Sequence, residues 1–166
     1  NDGKKFDSAR DAYRVEKPSD EFKIAYIGTM GYSYDLKLAI DAIKIVSERG
    51  VGKKIKFIAM GDGPLLDEYK LYARNANIYA EFTGPLVYEE MVGQRCSCDA
   101  VINCLRPGAA QSITNKVGDY ALSGLPVINT QENLEYRKLV EDWHCGINCE
   151  CGNVREVADA IVKLIS

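Results

Sequence analysis

Six short apolar runs, each followed by a stretch of different periodicity, limit this chain more than any other feature of its sequence. Phe22 to Ile27, Ile55 to Met60, Ile78 to Phe82, Ala100 to Cys104, Pro126 to Asn129 and Ile147 to Cys151 have strand length. Between them lie segments with helical spacing, such as Asp35 to Glu48 with Leu36, Ala39, Ile40, Ile43 and Val46 on one side. Further helices are expected over Leu65 to Asn75, near Tyr88 to Met91, near Asn133 to Glu141 and over Val154 to Ile165. Strands that alternate with helices of about ten residues join by right-handed crossovers into a parallel sheet covered on both faces. The expected fold is therefore α/β, a Rossmann-like parallel sheet of about six strands. In such sheets ligands lie beyond the carboxyl ends of the strands, near the point where strand order reverses.

The first 20 residues are polar, show no stable period and end at Pro18-Ser19-Asp20. They are expected to form a linker or N-terminal arm, with the domain proper over 21–166. With 166 residues, 46% of them hydrophobic, the chain can bury a full core. Its net charge of −3 with mixed signs gives no nucleic-acid footprint, so any phosphate site must be local. No apolar run approaches the roughly 20 residues needed to cross a bilayer. Six cysteines are present, and His144 beside Cys145, Cys149 and Cys151 invites a metal reading. The Cys-x3-Cys-x-Cys spacing lacks the paired Cys-x2-Cys knuckles of structural zinc sites, so no metal is expected. Reduced thiols follow, with Cys149 and Cys151 sharing one face of the last strand.

Three loops carry candidate chemistry. Gly28-Thr29-Met30-Gly31 follows the first strand, where glycines let backbone N–H groups approach a phosphate. Leu105 to Thr114 offers Arg106 as a fork of donors, with Gly108-Ala109-Ala110 leaving room for a sugar. From Gln111 to Gly124 the sequence reads as a helix capped by Ser112 or Thr114, with Gly124 suited to the left-handed residue past its end. Its first turn, Ser112, Ile113 and Thr114, would present free N–H groups, and Lys116 would supply a cation for a diphosphate. Gln111 and Asp119 stand eight positions apart. On a helix they share a face, about 12 Å apart by its rise per residue.

Lys116-x-x-Asp119-Tyr120 followed by Gly124-x-Pro126-Val127 resembles a motif of family four retaining glycosyltransferases of the GT-B architecture. Those enzymes carry Glu-x7-Glu and then Gly-x-Pro-Val; here Gln111 and Asp119 replace the two glutamates. Met60-Gly61-Asp62-Gly63-Pro64 and Phe82-Thr83-Gly84-Pro85-Leu86 resemble the family's turns after the second and third strands. The resemblance covers the chain after Glu21 and implies one half of a two-domain, metal-independent enzyme without a cofactor, binding a nucleoside-diphosphate sugar. It implies catalytic positions at Gln111 and Asp119, ribose contact at Asp119 and a base contact at the backbone of Leu86. An amide at Gln111 can position a hydroxyl but cannot stabilise positive charge at an anomeric carbon.

The start, Asn1-Asp-Gly-Lys-Lys-Phe-Asp, resembles the family's interdomain segment. A separate acceptor-binding domain and a glycan or lipid-linked acceptor are therefore expected, with no sugar transfer by this part alone. The setting implied is cytoplasmic assembly of capsule, lipopolysaccharide or other bacterial cell-surface polysaccharide, at the inner face of the membrane. Two other readings stay open: half of a nucleotide-sugar epimerase or phosphorylase, and a non-catalytic nucleotide- or protein-binding module.

Overall fold

The computed structural model describes residues 2–13, 18–109 and 124–166. Their elements in chain order are α1 (Asp2–Ala12), β1 (Glu21–Ile27), α2 (Leu36–Arg49), β2 (Lys54–Met60), α3 (Leu66–Ala76) and β3 (Tyr79–Gly84). There follow α4 (Tyr88–Cys96), β4 (Ala100–Asn103), β5 (Val127–Asn129), α5 (Leu134–Asp142), β6 (Gly146–Asn148) and α6 (Val154–Ile165). The strands form one sheet in the order β3-β2-β1-β4-β5-β6, every pair parallel. This is the expected Rossmann-like topology, and the strand order reverses between β1 and β4.

Alternation along the strands sorts side chains onto two faces. Phe22, Ile24 and Tyr26 pack with Phe57, Ile102 and Ile128 under α2, α3 and α6. Ala25, Ile27, Ile58, Val101 and Val127 face the other way, toward Tyr136 and Val140 of α5. All seven residues of β1 are buried because it lies inside the sheet with a strand on each side. Helix ends follow local chemistry: Asp35 accepts from the Leu38 N–H (3.1 Å), and Gly50 takes a left-handed φ of 68° after α2. Among the described residues no helix is long and apolar enough to cross a membrane.

Three expectations change. The polar start is helical: α1 places Phe6 and Ala9 against Val92 of α4, and Arg95 lies 5.3 Å from the centre of the Phe6 ring. A Cβ at Gly93 would lie 1.8 Å from the Tyr13 carbonyl, so only glycine lets the end of α1 sit this close. Helix α4 runs on to Cys96 rather than stopping near Met91. Strand β6 ends at Asn148, so Cys149 and Cys151 do not share a strand face. The Cys149 thiol turns to the Glu156 carbonyl (3.6 Å) and that of Cys151 to the Leu105 carbonyl (3.2 Å).

Candidate functional site at the seam of the sheet

Beyond the carboxyl ends of β1 and β4 two loops are bonded to each other. Tyr34 and Leu105 form an isolated antiparallel bridge. The Arg106 N–H donates to the Ser33 carbonyl (2.9 Å), and the Asp35 N–H donates to the Cys104 carbonyl (3.1 Å). The glycine turn and the arginine loop are therefore one structural unit at the place where strand order reverses.

The glycine turn has an inner and an outer side. Inside, the Gly28 N–H donates to the Met60 carbonyl (3.0 Å) and the Met30 N–H to the Asp62 carbonyl (2.9 Å). The Met30 carbonyl accepts from the Leu65 N–H (3.0 Å), and the Met30 side chain is fully buried. Met30 is thus a core residue with both backbone groups engaged, and Gly28 spends its N–H on the neighbouring strand. Neither of those two amides is free for a phosphate. Outside, the amides of Thr29, Gly31, Tyr32 and Ser33 have no acceptor among the described residues. A Cβ on Gly31 would meet open space, whereas one on Gly61 would lie 1.9 Å from the Gly28 carbonyl oxygen. Gly61 and Gly63 are needed for close packing of two turns, since a Cβ on Gly63 would lie 2.7 Å from the Met30 backbone.

Arg106 begins a tight turn. Pro107 and Gly108 are its central residues, Gly108 has φ 78°, and the Ala109 N–H returns to the Arg106 carbonyl (3.1 Å). Proline followed by a glycine with positive φ is the type II pattern. The guanidinium, half buried, donates to the Tyr69 hydroxyl (3.4 Å), which itself donates to the Tyr34 carbonyl (2.9 Å). Burial raises the Tyr69 phenol above its ordinary value and the Arg106 charge partly opposes this, so the hydroxyl stays neutral and the cation unneutralised by it. Leu86, half exposed, packs against the apolar cluster that includes Ile27 and Met60.

The other half of the rim was not anticipated. Asn103, Asn129 and Asn148 end β4, β5 and β6 in register. Asn103 Nδ2 donates to Asn129 Oδ1 (3.0 Å) and Asn129 Nδ2 donates to Asn148 Oδ1 (3.0 Å), a ladder across three strands. Gln131 Oε1 accepts from Asn103 Nδ2 (3.1 Å), and the Gln131 carbonyl accepts from Arg137 Nε (2.9 Å). Thr130, fully buried, accepts the Leu105 N–H on its hydroxyl (3.0 Å). A trace of it stands in the sequence: the dipeptide Ile-Asn recurs at 102–103, 128–129 and 147–148, each time where an observed strand ends.

Gln111, Ser112, Ile113, Thr114, Lys116 and Asp119 lie outside the described residues. Gly124, just after them, has the left-handed φ of 68° expected of it. Among the described residues no three His, Cys, Asp or Glu side chains gather to hold a metal ion. A hollow of about 360 Å³ lined by Leu125, Pro126, Tyr136, Leu139, Trp143 and Cys145 lies at the amino ends of β5 and β6, away from these loops.

The family model described as glycosyl transferases group 1 matches residues 21–166. Comparison with curated proteins finds no match. Among solved structures, the catalytic domain of cholesterol-alpha-glucosyltransferase from Helicobacter pylori superposes with a TM-score of 0.69 at 18% identity, over 87% of this chain and 86% of that one. The lipopolysaccharide outer core galactosyltransferase WaaB gives 0.74 at 15%, over 92% of this chain and 42% of that one. Anabaena HepE in complex with UDP and glucose gives 0.71 at 16%, over 98% and 42%. At these identities the likeness is one of fold, and the chain spans less than half the length of the last two.

Proposed function

The chain belongs to the group 1 glycosyl transferases, and on that premise we propose that it is the donor-binding domain of a retaining, metal-independent, two-domain enzyme. The donor is a nucleoside-diphosphate sugar, held over the seam between β1 and β4. The observation that supports this reading is the Tyr34–Leu105 bridge, which joins the loop after the glycine turn to the loop that carries Arg106. Unengaged amides and a guanidinium are what a diphosphate requires, because each supplies a donor to oxygens carrying negative charge. HepE, whose fold this chain shares, was solved with UDP and glucose, which favours a uridine nucleotide as the first donor to test.

In this reading Lys116 and the first turn at Ser112, Ile113 and Thr114 complete the diphosphate site. Asp119 accepts from the ribose hydroxyls, Gln111 orients a hydroxyl of the donor sugar, and the backbone at Leu86 meets the base. The acceptor, a glycan or lipid-linked glycan of the cell surface, binds a second domain, at the cytoplasmic side of a membrane.

Calorimetric titration of UDP and GDP tests the proposal. Wild type is expected to bind one of them, and Arg106→Ala to bind it about tenfold more weakly, the scale of one charge-assisted hydrogen bond. Binding of neither nucleotide, or full affinity in the variant, would refute it.

A further inference from the structure

Helix α3 lends one buried side chain to the two loops of the site. Tyr69 is fully buried, in the same core cluster as Met30 and Leu36. Its hydroxyl donates to the Tyr34 carbonyl (2.9 Å) and accepts from Arg106 Nη2 (3.4 Å), so one atom meets both loops. The root of the side chain is fixed as well. The Tyr69 N–H donates to the Leu65 carbonyl (2.9 Å), and the Leu65 N–H donates to the Met30 carbonyl (3.0 Å) in the glycine turn. A ring packed on all sides and tied at both ends is a rigid post.

Arg106 is the opposite kind of side chain. It is half-buried, long and rotatable, and keeping it in one rotamer costs entropy. Binding bears that cost unless the free protein already holds the side chain in place. Among the described residues the Tyr69 hydroxyl is the one acceptor bonded to the guanidinium, and no carboxylate pairs with it. The identity of the holder matters. A carboxylate would orient the guanidinium and also cancel its charge, whereas burial keeps the Tyr69 phenol an uncharged acceptor. Tyr69 takes one of five N–H donors and leaves the others, with the whole positive charge, for an anion.

We propose that Tyr69 is a positioning residue for donor binding: its hydroxyl, fixed by the core and by the Tyr34 carbonyl, holds the Arg106 guanidinium in the rotamer that meets the donor diphosphate. This rests on the donor-site reading above. Tyr69 touches no ligand, because it is fully buried. Its effect on affinity passes through its direct side-chain contact with Arg106.

The test uses the full-length protein, with whichever of UDP and GDP the wild type binds as the probe. The variants are Tyr69→Phe, Arg106→Ala and the Tyr69→Phe/Arg106→Ala double variant. Tyr69→Phe keeps the buried ring and removes only the hydroxyl. It should bind the nucleotide about fivefold more weakly, while its melting temperature falls by less than about 5 °C. Arg106→Ala should lose about tenfold. In that background Tyr69→Phe should change affinity by less than about twofold, because two groups acting as one unit are not additive. A hydroxyl that served only to hold the Tyr34 loop would weaken binding equally in both backgrounds. Full affinity in Tyr69→Phe, equal losses in the two backgrounds or a larger fall in melting temperature would each overturn the inference. A wild type that binds neither nucleotide would instead remove the donor-site reading, and this inference with it.

Discussion

Three strands of the sheet run out into glycine and three end in asparagine, and the two groups meet at the seam. Gly28 and Gly61 follow β1 and β2 and Gly84 closes β3, whereas Asn103, Asn129 and Asn148 close β4, β5 and β6. On the glycine side the turns are joined backbone to backbone: Gly28 N–H to Met60, Gly61 N–H to Gly84 (3.1 Å), Met30 N–H to Asp62. On the asparagine side the backbones are joined too, Thr130 N–H to Asn103 (2.9 Å) and Cys149 N–H to Asn129 (2.8 Å), and side-chain amides add a second row of bonds across the strand ends. The glycine side is rigid because no side chain intervenes, and it leaves one surface of its turn unspent. The asparagine side is specific because each amide has one donor and one acceptor end to satisfy, and it carries loops that need aiming. One fixed edge beside one held by side-chain amides would suit the proposed donor, whose diphosphate must be gripped while its sugar is oriented.

The first way to break this comparison is to add one carbon to the glycine side. Gly61→Ala places a Cβ 1.9 Å from the Gly28 oxygen at a φ of +136°. The obstacle is backbone held by its own hydrogen bonds, so the expected loss is about 4 kcal/mol or failure to fold. Asn129→Ala should cost less, about 3 kcal/mol. It removes the acceptor of Asn103 Nδ2 and of the Gln131 N–H (3.1 Å) and the donor to Asn148, yet leaves Asn103 its bond to Gln131. Urea unfolding of both variants measures the order. If Asn129→Ala were the more damaging, the amide ladder rather than the glycine contacts would be the stiffer wall.

These contrasts explain what the sequence could and could not reveal. The six strands were legible because strands covered on both faces read as apolar runs, and Gly28, Gly61 and Gly50 mark stops by backbone chemistry alone. Helix α1 was not, because it shows only Phe6 and Ala9 to its partner, and that partner, Val92 and Gly93, lies some 80 residues downstream. The end of β6 was overshot because Ile147 to Cys151 keeps a strand-like alternation. There the Cys149 N–H still donates to the Asn129 carbonyl (2.8 Å) before the chain turns at Gly152. In the glycine turn the residue types suggested donor contacts at Gly28, Thr29, Met30 and Gly31. That Gly28 and Met30 spend their amides on β2 and its loop depends on how two turns meet, which spacing within one turn does not encode. Thr130 and Tyr69 were invisible for the same reason: their partners Leu105 and Arg106 are 25 and 37 residues away.

A smaller effect reports on the asparagine side through its buried thiol. Cys149 follows Asn148, and burial, with help from Glu156 and against Arg137, pushes its pKa from 9.0 up to about 11. Burial likewise raises Cys98, beside β4, to about 12 despite Lys23. A raised thiol pKa means that the folded state keeps a proton the unfolded chain releases. The contribution is therefore complete below about pH 9 and is lost as pH climbs from 9 toward 11. Between pH 8 and pH 10 urea unfolding should show a loss of about 1 kcal/mol from Cys149, absent in Cys149→Ala. An unchanged slope in that variant would mean that the thiol is already open to solvent.

The smallest expected effect on stability sharpens the comparison most, because it separates the two sides of a single turn. Gly31 lies three residues after Gly28, yet a Cβ there meets nothing within 4 Å and its φ lies outside the left-handed region. Gly31→Ala should change stability by less than about 0.5 kcal/mol, with either sign, since alanine also restricts the unfolded chain. If the outer side of the turn is where a diphosphate approaches the backbone, the same methyl should weaken UDP binding several-fold although the fold is untouched. Gly61→Ala destabilises the fold whether or not a nucleotide is present, so the pair distinguishes a glycine kept for packing from one kept for access. Full UDP affinity in Gly31→Ala would place the nucleotide away from this backbone. A loss of more than about 1 kcal/mol would show that the open space is filled by something the chain itself supplies.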